Sequence, residues 1–561
     1  MKSFSFIITF ILVMTYCFSQ TNCSFPTASL FIHPNKIGTT LKVDGSMFFK
    51  LENGGFLVPY SLSGNYSLKT MVAGGLWLSG VDPAGNIKLA AATYPTMTAH
   101  DFSSGPLDYI EGTTNSLVCN NWNKIWHITK EEILLHIADY QDNGIINNPT
   151  DAIFSWPAKG NLFFLTYNGF GLDAAMNEDM AAFKDSNGNG VYEPDQGEHP
   201  VIANSHDLPD FIAFYIINDA GTIHTTTSSN AMQIEIQVSV YAFDCEETSL
   251  NDVLFMNFKC INRGVEDLGA PNFGIWADFD LGYGYDDYIG CDTSLNSFYV
   301  YNADNEDLIE TIGLGGYGSN PPVQSITFLN RPLSKFIYHS YGQPDVPVAQ
   351  TPPGNYIEYY RYLTGKWRDG TPLTIGGSGY EYSDEMTSWA MPDNPNDTTG
   401  WSMRTSDQLP FHYKGLGITD IPTIEPGGQS VEIHTAFAFH RGEGMNHLEN
   451  VNVMEVEIAE IQELYDNEFE GICNSMQSQD LQSPGFTMSP NPAKDEISIQ
   501  SMEDVIQEIQ ISDISGKVVL SINHINETSM TCDIRTLLGG VYFIKIVSKG
   551  NHKIMPLIVQ R

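Results

Sequence analysis

Positive charge is scarce in this chain of 561 residues: 27 Lys and Arg stand against 67 Asp and Glu, a formal net charge of −40. So acidic a surface repels phosphate backbones and anionic headgroups, which argues against nucleic acid and favours cations, basic partners or plain solubility. No stretch approaches 18 uninterrupted apolar residues, so no membrane-spanning helix is expected in the mature chain. Cysteine is sparse as well, eight residues at 17, 23, 119, 245, 260, 291, 473 and 532, and no C-x-x-C or Cys/His spacing marks zinc. Legible catalytic motifs are missing. There is no H-E-x-x-H, no phosphate loop, and Gly376-Gly377-Ser378-Gly379-Tyr380 ends in Tyr where a nucleophile elbow needs Gly, so it reads as a turn. A glycosidase needs only two carboxylates on opposing walls, which spacing does not reveal; Asp278, Asp280 and Glu381 are the candidates for such a pair.

What is present suffices for large cores: 42% apolar and 12% aromatic residues. The grammar is that of strands and turns. Gly38 to Tyr94 alternates short apolar runs with Gly, Asn and Asp, and Ile234 to Phe279 is the strongest β stretch, turning at Asn262-Arg263-Gly264. Cys245 and Cys260 flank strand-like runs within it, which makes a cross-hairpin disulfide between them an expectation. Thr129 caps a short helix with acids in its first turn. One long helix follows Asn446, with Glu449 in capping-box position and Leu448, Val451, Met454, Ile458, Ile461 and Tyr465 as its core stripe. His434 and His440 flank a strand and read as satisfied structural histidines. The fold class is therefore mainly β: a large β-sandwich-type body with few helices, plus a small C-terminal Ig-like β-sandwich.

Metal chemistry is the strongest site signal in the body. Asp185-Ser186-Asn187-Gly188-Asn189-Gly190-Val191 places side-chain oxygens at positions one, three and five, a Gly at six and a carbonyl at seven, the first half of a calcium loop. Position twelve is Gln196, and Pro194 prevents an ordinary exiting helix, so Asp195 or Glu198 is expected to close the shell. The expected ligands are Asp185, Asn187, Asn189, the Val191 carbonyl, and Asp195 or Glu198. Asp278, Asp280, Asp286, Asp287 and Asp292 form a second cluster whose repulsion calls for a cation or solvent. Asp139, Asp142 and Asn147 form a weaker third. Hard oxygen ligands without His or Cys favour calcium as the cofactor.

Both ends of the chain carry addresses. Lys2 followed by the apolar run Phe4 to Val13 has the form of a secretory signal peptide cleaved near Gln20. At the other end, Ser489-Pro490-Asn491-Pro492, then Ile509 to Val519 around Gly516, then Leu537 to Ile546 with Gly540 and Tyr542, and a basic last residue follow one another in order. This series resembles the C-terminal sorting domain of the Bacteroidetes type IX secretion system. The resemblance implies export across the outer membrane, recognition by the type IX machinery, removal of the tail by a surface enzyme, and tethering to surface lipopolysaccharide or release. Body phrases such as Gly74 to Gly80, Asp101 to Leu107, Asp278 to Asp292 and Trp367 to Thr374 resemble uncharacterised secreted Bacteroidetes proteins, which implies no activity.

The organisation expected is signal peptide 1–20, a β-rich region with the calcium-type loop 21–233, a β-sandwich region ending in the amphipathic helix 234–470, a linker 471–484 and the sorting domain 485–561. The expected function is that of a secreted or cell-surface cargo whose body is a non-catalytic, calcium-stabilised adhesion or matrix-interaction protein; the alternative is a secreted hydrolase of polysaccharide or peptide. A concave pocket with two close carboxylates and aromatic walls, Trp367 or Trp389 for example, marks the hydrolase, and a flat β surface marks the binding protein.

Overall fold

Alternation along Ile234–Ala242 puts Ile236, Val238 and Val240 on one face, each fully buried. A strand with that pattern needs a second layer to cover it. The computed structural model supplies one. It describes residues 23–50, 54–60, 68–172, 180–245, 248–308, 315–343, 345–472, 486–489, 493–501, 505–513, 517–538, 540–548 and 551–559. The signal segment, residues 473–484 of the linker, and Pro490, Asn491, Pro492 and Gly516 lie outside the described residues. The chain divides into two compact units, up to Ile472 and from Cys473.

The first unit is built on two antiparallel sheets. A nine-stranded sheet runs Asp287–Asp292, Ser297–Asn302, Val323–Phe328, Ser430–His440, Val253–Asn262, Ile234–Ala242, Phe211–Asn218 and Ser103–Ser104, with Trp126–Thr129 also on Phe211–Asn218. A seven-stranded sheet runs Lys335–His339, Lys414–Asp420, Gly269–Phe279, Lys69–Val81 and Ser46–Met47, with Phe56–Leu57 and Ile87–Ala91 also on the long Lys69–Val81 strand. Both sheets draw strands from either side of residue 233. They pack face to face through aromatic pairs, Phe258 with Phe273, Phe298 with Phe336 and Phe48 with Phe437, at ring centroid distances of 5.3, 5.4 and 5.1 Å. Gly417 is required by that approach, since a Cβ there would stand 2.3 Å from the Phe298 ring. The architecture is mainly β, a sandwich with one continuous core.

The His447–Asp466 helix closes the outer face of the larger sheet. Its capping box is as expected, with the Asn446 side chain accepting from the Leu448 and Glu449 amides. Val451, Met454, Ile458 and Ile461 are buried, and each such side chain contributes roughly 1.5–3 kcal/mol. The helix after Thr129 spans Lys130–Asn143, fourteen residues, longer than expected. Among the described residues no helix is long and apolar enough to cross a membrane.

Cysteine pairing differs from expectation. Cys23 and Cys119 form a disulfide, and Cys245 is disulfide-bonded, but Cys260 is a free buried thiol. The register explains why: Tyr241 pairs with Phe255 and Ile236 with Cys260. Cys245 therefore lies in the hairpin turn beyond the Tyr241–Phe255 pair, while Cys260 lies five residues up the strand from that pair, about 17 Å from it at strand rise, so the two are beyond the roughly 7 Å Cα reach of a disulfide.

The second unit is a smaller sandwich. Phe486–Ser489, Glu496–Ser501 and Ser529–Asp533 form one sheet; Val518–Glu527, Ile506–Asp513, Gly540–Ser548 and Asn551–Val559 form the other. Ile497, Ile499, Ile509, Ile511, Ile544 and Ile546 meet in one core. Gly540 opens a strand opposite Val559, and the Tyr542 hydroxyl donates to the Leu538 carbonyl at 3.1 Å.

Candidate functional site

Three neighbouring strands of the seven-stranded sheet put charged and aromatic side chains in one row. Asp278 pairs in register with Lys414, and Lys414 with His339; directly opposed residues share a face, so all three project together. Asp278 Oδ1 and Lys414 Nζ are 2.8 Å apart, with side chains only 7% and 9% exposed. The Tyr94 hydroxyl donates to Asp278 Oδ2, and burial, then the Asp278 charge, raises the Tyr94 pKa. Two residues on, Asp280 pairs with Lys69 at 2.5 Å.

The aromatic base of this row follows from the same registers. Trp77 lies opposite Gly274 and Trp276 opposite Gly75, so each indole faces a partner strand with no side chain to obstruct it. The Trp276 indole N–H donates to His339 Nε2 at 3.1 Å. Because Trp donates only, His339 Nε2 is the acceptor. Burial pushes the His339 pKa down to about 3, Lys414 adding to the effect, so the ring is neutral at physiological pH. The His339 ring is inclined by 16° to Trp77 and 15° to Trp276.

Above this base opens a cleft of about 600 Å³. Its floor holds Trp77, Trp276, His339 and Tyr359, all buried, and its walls include Tyr94, Tyr341, His412 and Pro352-Pro353. The sequence pointed to Asp278 and Asp280 but to the wrong tryptophans. Trp367 is fully buried with its N–H on the Gly379 carbonyl, and Trp389 donates to Leu333. Glu381 is exposed and does not line the cleft.

The Asp185 loop holds its residues by local bonds. Asp185 Oδ2 accepts from the Gly190 amide at 2.8 Å and Oδ1 from Gly188 and Asn189 at 2.7 and 3.3 Å. These bonds, Gly190 foremost, lower its pKa. Asn187 and Asn189 both donate side-chain N–H groups to Glu193 Oε2, at 2.8 and 2.6 Å, and the Val191 amide donates to Asn189 Oδ1. Glu193, absent from the expected ligand set, is thus the carboxylate at the centre. Glu198 is buried and accepts the Ser186 and Glu193 amides, one on each oxygen, clasping the two ends of the loop. Asp195 is exposed, and the side-chain hydrogen bond on it comes from adjacent Gln196. Asp185, Asn187, Asn189 and Glu193 carry the kind of oxygen that a hard cation takes, but Asp185, like Glu198, is engaged by backbone amides, and Asn187 and Asn189 turn N–H groups to Glu193.

The second acidic cluster separates into three settings. Asp278 and Asp280 face lysines, as above. Asp292 accepts from Ser294 and Leu295 and shapes a turn. Asp286 and Asp287 instead couple to Asp307, which the sequence did not single out. Burial is the main cause that raises the Asp286 pKa to about 6, the Asp307 pKa to about 7 and the Asp287 pKa well above its ordinary value. Among the described residues no three His, Cys, Asp or Glu side chains form a group that could hold a metal ion. Asp139 accepts the Asn147 and Asn148 amides, both at 2.8 Å, as a turn clasp.

That nest predicts a pH dependence. A carboxyl whose folded pKa exceeds its ordinary 3.8 keeps a proton that the unfolded chain has released, so its stabilisation is full below the unfolded value and is lost as pH rises through the folded one. These two carboxyls should add to the melting temperature of the body as pH falls from about 8 to 5, a contribution read as the difference between the wild type and Asp307→Asn, because His339 with its lowered pKa acts in the opposite sense over the lower part of that range. Asp307→Asn should flatten the slope while keeping an acceptor for the Tyr283 or Tyr317 amide that Asp307 holds. An unchanged slope in that variant would refute the assignment.

Another constellation has the right partners for acyl transfer and the wrong surroundings. Ser325 Oγ lies 2.8 Å from His440 Nε2, and His440 Nδ1 2.7 Å from Glu457 Oε2. Ser325 and His440 are 0% and 1% exposed, Ser325 within its strand and His440 at the end of its own, beneath the helix that carries Glu457. A nucleophile needs an open site beside it with oxyanion donors, so this set pins helix to sheet. His434, bonded to Tyr465 at 2.7 Å, pins the same helix nearer its end.

Comparison with known proteins adds one firm result. Residues 487–560 match the family model of the secretion system C-terminal sorting domain. The tail is a type IX sorting domain, and the chain is cargo addressed to the cell surface or extracellular space. That match covers the tail alone and gives no support to the body resemblance. No curated protein matches the chain. Among solved structures, the sulfur carrier protein SoxY from Chlorobium limicola f thiosulfatophilum is 11% identical, covering 14% of this chain and 82% of that one with a TM-score of 0.12. A polysaccharide lyase is 10% identical, covering 58% of this chain and 34% of that one with a TM-score of 0.18. Neither likeness is close enough to bear on activity.

Proposed function

We propose that, once type IX export has placed it outside the cell, the body acts as a non-catalytic, calcium-stabilised binding protein in adhesion or matrix interaction. In this reading the cleft over Trp77 and Trp276 receives the ligand, and the tail is removed by the surface enzyme of the export pathway, leaving the body released or tethered to lipopolysaccharide. The observation that carries it is the state of the two cleft carboxylates. Asp278 has one oxygen on Lys414 and the other on the Tyr94 hydroxyl, and Asp280 is held by Lys69. A glycosidase needs a protonated acid and a free base or nucleophile, and neither aspartate is placed to be one.

A hydrolase of polysaccharide or peptide is the second reading, favoured by the concavity of the cleft and its two carboxylates. Release of reducing ends or new amino groups from such substrates by the purified exported protein would decide for it. Loss of cell attachment to matrix in a strain lacking the protein, without turnover, supports binding.

Calcium enters through the Asp185 loop. A cation bound by the folded loop and not by the unfolded chain raises stability by about 2.7 kcal/mol at a hundred times its Kd. We expect a higher melting temperature in calcium than in chelator, and no such difference in Asp185→Ala. That variant also loses three amide bonds, so the readout is the calcium-dependent difference and not the absolute value. Equal melting of the wild-type protein in calcium and chelator would refute calcium binding.

A further inference from the structure

We propose that the Trp77–Trp276 cleft is a carbohydrate site that takes an uncharged sugar ring, with the apolar face of the ring on Tyr94 and Tyr341 and its hydroxyls on Asp278, Asp280 and Lys414. This deepens the binding reading above and rests on it.

Charge is the first argument. Every charged group named at the cleft base has an opposite partner: Asp278 with Lys414 and Asp280 with Lys69. His339 between them is neutral. An anionic or cationic ligand would compete with an existing ion pair, and an uncharged one competes with neither. This neutrality stands out in a chain of net charge −40.

Hydrogen-bonding capacity is the second. The Lys414 ammonium has three N–H donors, of which Asp278 and the His412 carbonyl accept two, at 2.8 and 3.1 Å. Each carboxylate oxygen can accept more than one bond. The base therefore offers donors and acceptors side by side. Vicinal hydroxyls, which donate and accept at once, match such a set; a purely apolar ligand would leave it unsatisfied.

Shape is the third. Tyr94 and Tyr341 are 39% and 71% exposed on the walls, while the tryptophans form the buried floor. Exposed rings over paired polar groups suit a molecule with one C–H face and a polar rim. A volume of about 600 Å³ lies within the usual range of small-ligand pockets.

The test is titration of the purified exported protein, by calorimetry, with neutral cello-, xylo-, manno- and malto-oligosaccharides beside polyuronate and sulfated glycans. We expect binding to a neutral series, weakened about tenfold by Tyr341→Ala and by Tyr94→Ala. Tyr94→Phe keeps the ring and loses the Asp278 bond, so it separates the two contributions. Tyr341 is mostly exposed, so its variant keeps its melting temperature and a loss of binding there is not a folding defect. Binding to anionic glycans alone, or neutral binding indifferent to Tyr341→Ala and Tyr94→Ala, would overturn the inference. Attachment of cells to matrix without any glycan binding would overturn it while leaving the adhesion reading standing. Cleavage of a bound neutral oligosaccharide supports the ligand class and overturns the non-catalytic reading.

Discussion

Replacing both cysteines of the Cys23–Cys119 bond with serine should cost the body about 4.7 kcal/mol. The bond closes a loop with a sequence separation of 96, and in the chain-entropy account a loop of that length removes about this much free energy from the unfolded ensemble. What it fixes in the folded state is the start of the body. The Cys23 amide donates to the Gly221 carbonyl at 2.8 Å, and the Thr27 and Ala28 amides both donate to Asn123 Oδ1. These few bonds hold the segment that leads into Ser29–Ile32, a strand in a two-stranded sheet of its own. Without the disulfide they must hold it alone. Urea unfolding of the oxidised wild type and the double variant measures the difference, and a change under about 1 kcal/mol would mean the reduced chain is constrained some other way. The free thiols should not respond to mild oxidants, since Cys260 and Cys291 are buried and burial raises both pKa values, Cys260 to about 12.

How much of this was legible in the sequence depends on how far apart the cooperating residues lie. The long helix was readable because Asn446, Glu449 and the stripe to Ile461 act within a few turns of one another. The same holds for the tail, whose strands follow each other through short turns, and for the Asp185 loop, where Gly188 and Gly190 adopt the positive φ of 75° and 72° that a tight turn demands. Within that loop, however, Glu193 was missed, because the calcium-loop pattern directs attention to position twelve and Pro194 turns the chain away before it. The cleft was half visible. Asp278 and Asp280 stand out as acids at a strand end, but Lys414, His339 and Trp77 reach them only through strand register between segments far apart in the chain. Asp307 lies in a separate two-stranded sheet with Gly318–Ser319, so its approach to Asp286 and Asp287 is set by tertiary folding and not by a pattern in the sequence. Side-chain periodicity says which face a residue takes and nothing about which strand lies beside it. The mistaken Cys245–Cys260 pairing is the same limit in one dimension: the hairpin was right, and its turn length decided the register.

Glu235→Ala should destabilise the body by about 3–5 kcal/mol, whereas removing Asp420 from its ion pair with Lys335 should cost at most about 1 kcal/mol. Both are ion pairs between a strand residue and a distant cation, and burial decides between them. The Glu235 side chain is 0% exposed and Arg263 4%. The guanidinium meets both carboxylate oxygens, Nε to Oε2 at 3.2 Å and Nη2 to Oε1 at 3.3 Å. Glu235 also accepts the Leu107 amide at 3.0 Å and the Gln237 side chain at 2.9 Å. Truncation strips an acceptor from three donors and leaves a guanidinium in a site with little water, which is the costly way to break a pair. Asp420 is 57% exposed, so solvent replaces what Lys335 loses. Raising the salt concentration should weaken the second pair and barely touch the first. Chemical denaturation of the two single variants at low and high salt reads both effects. A loss under about 1 kcal/mol in Glu235→Ala would show that Arg263 finds another acceptor in the turn it occupies after Asn262, and that the pair fixes the geometry of that turn more than it stabilises the sheet.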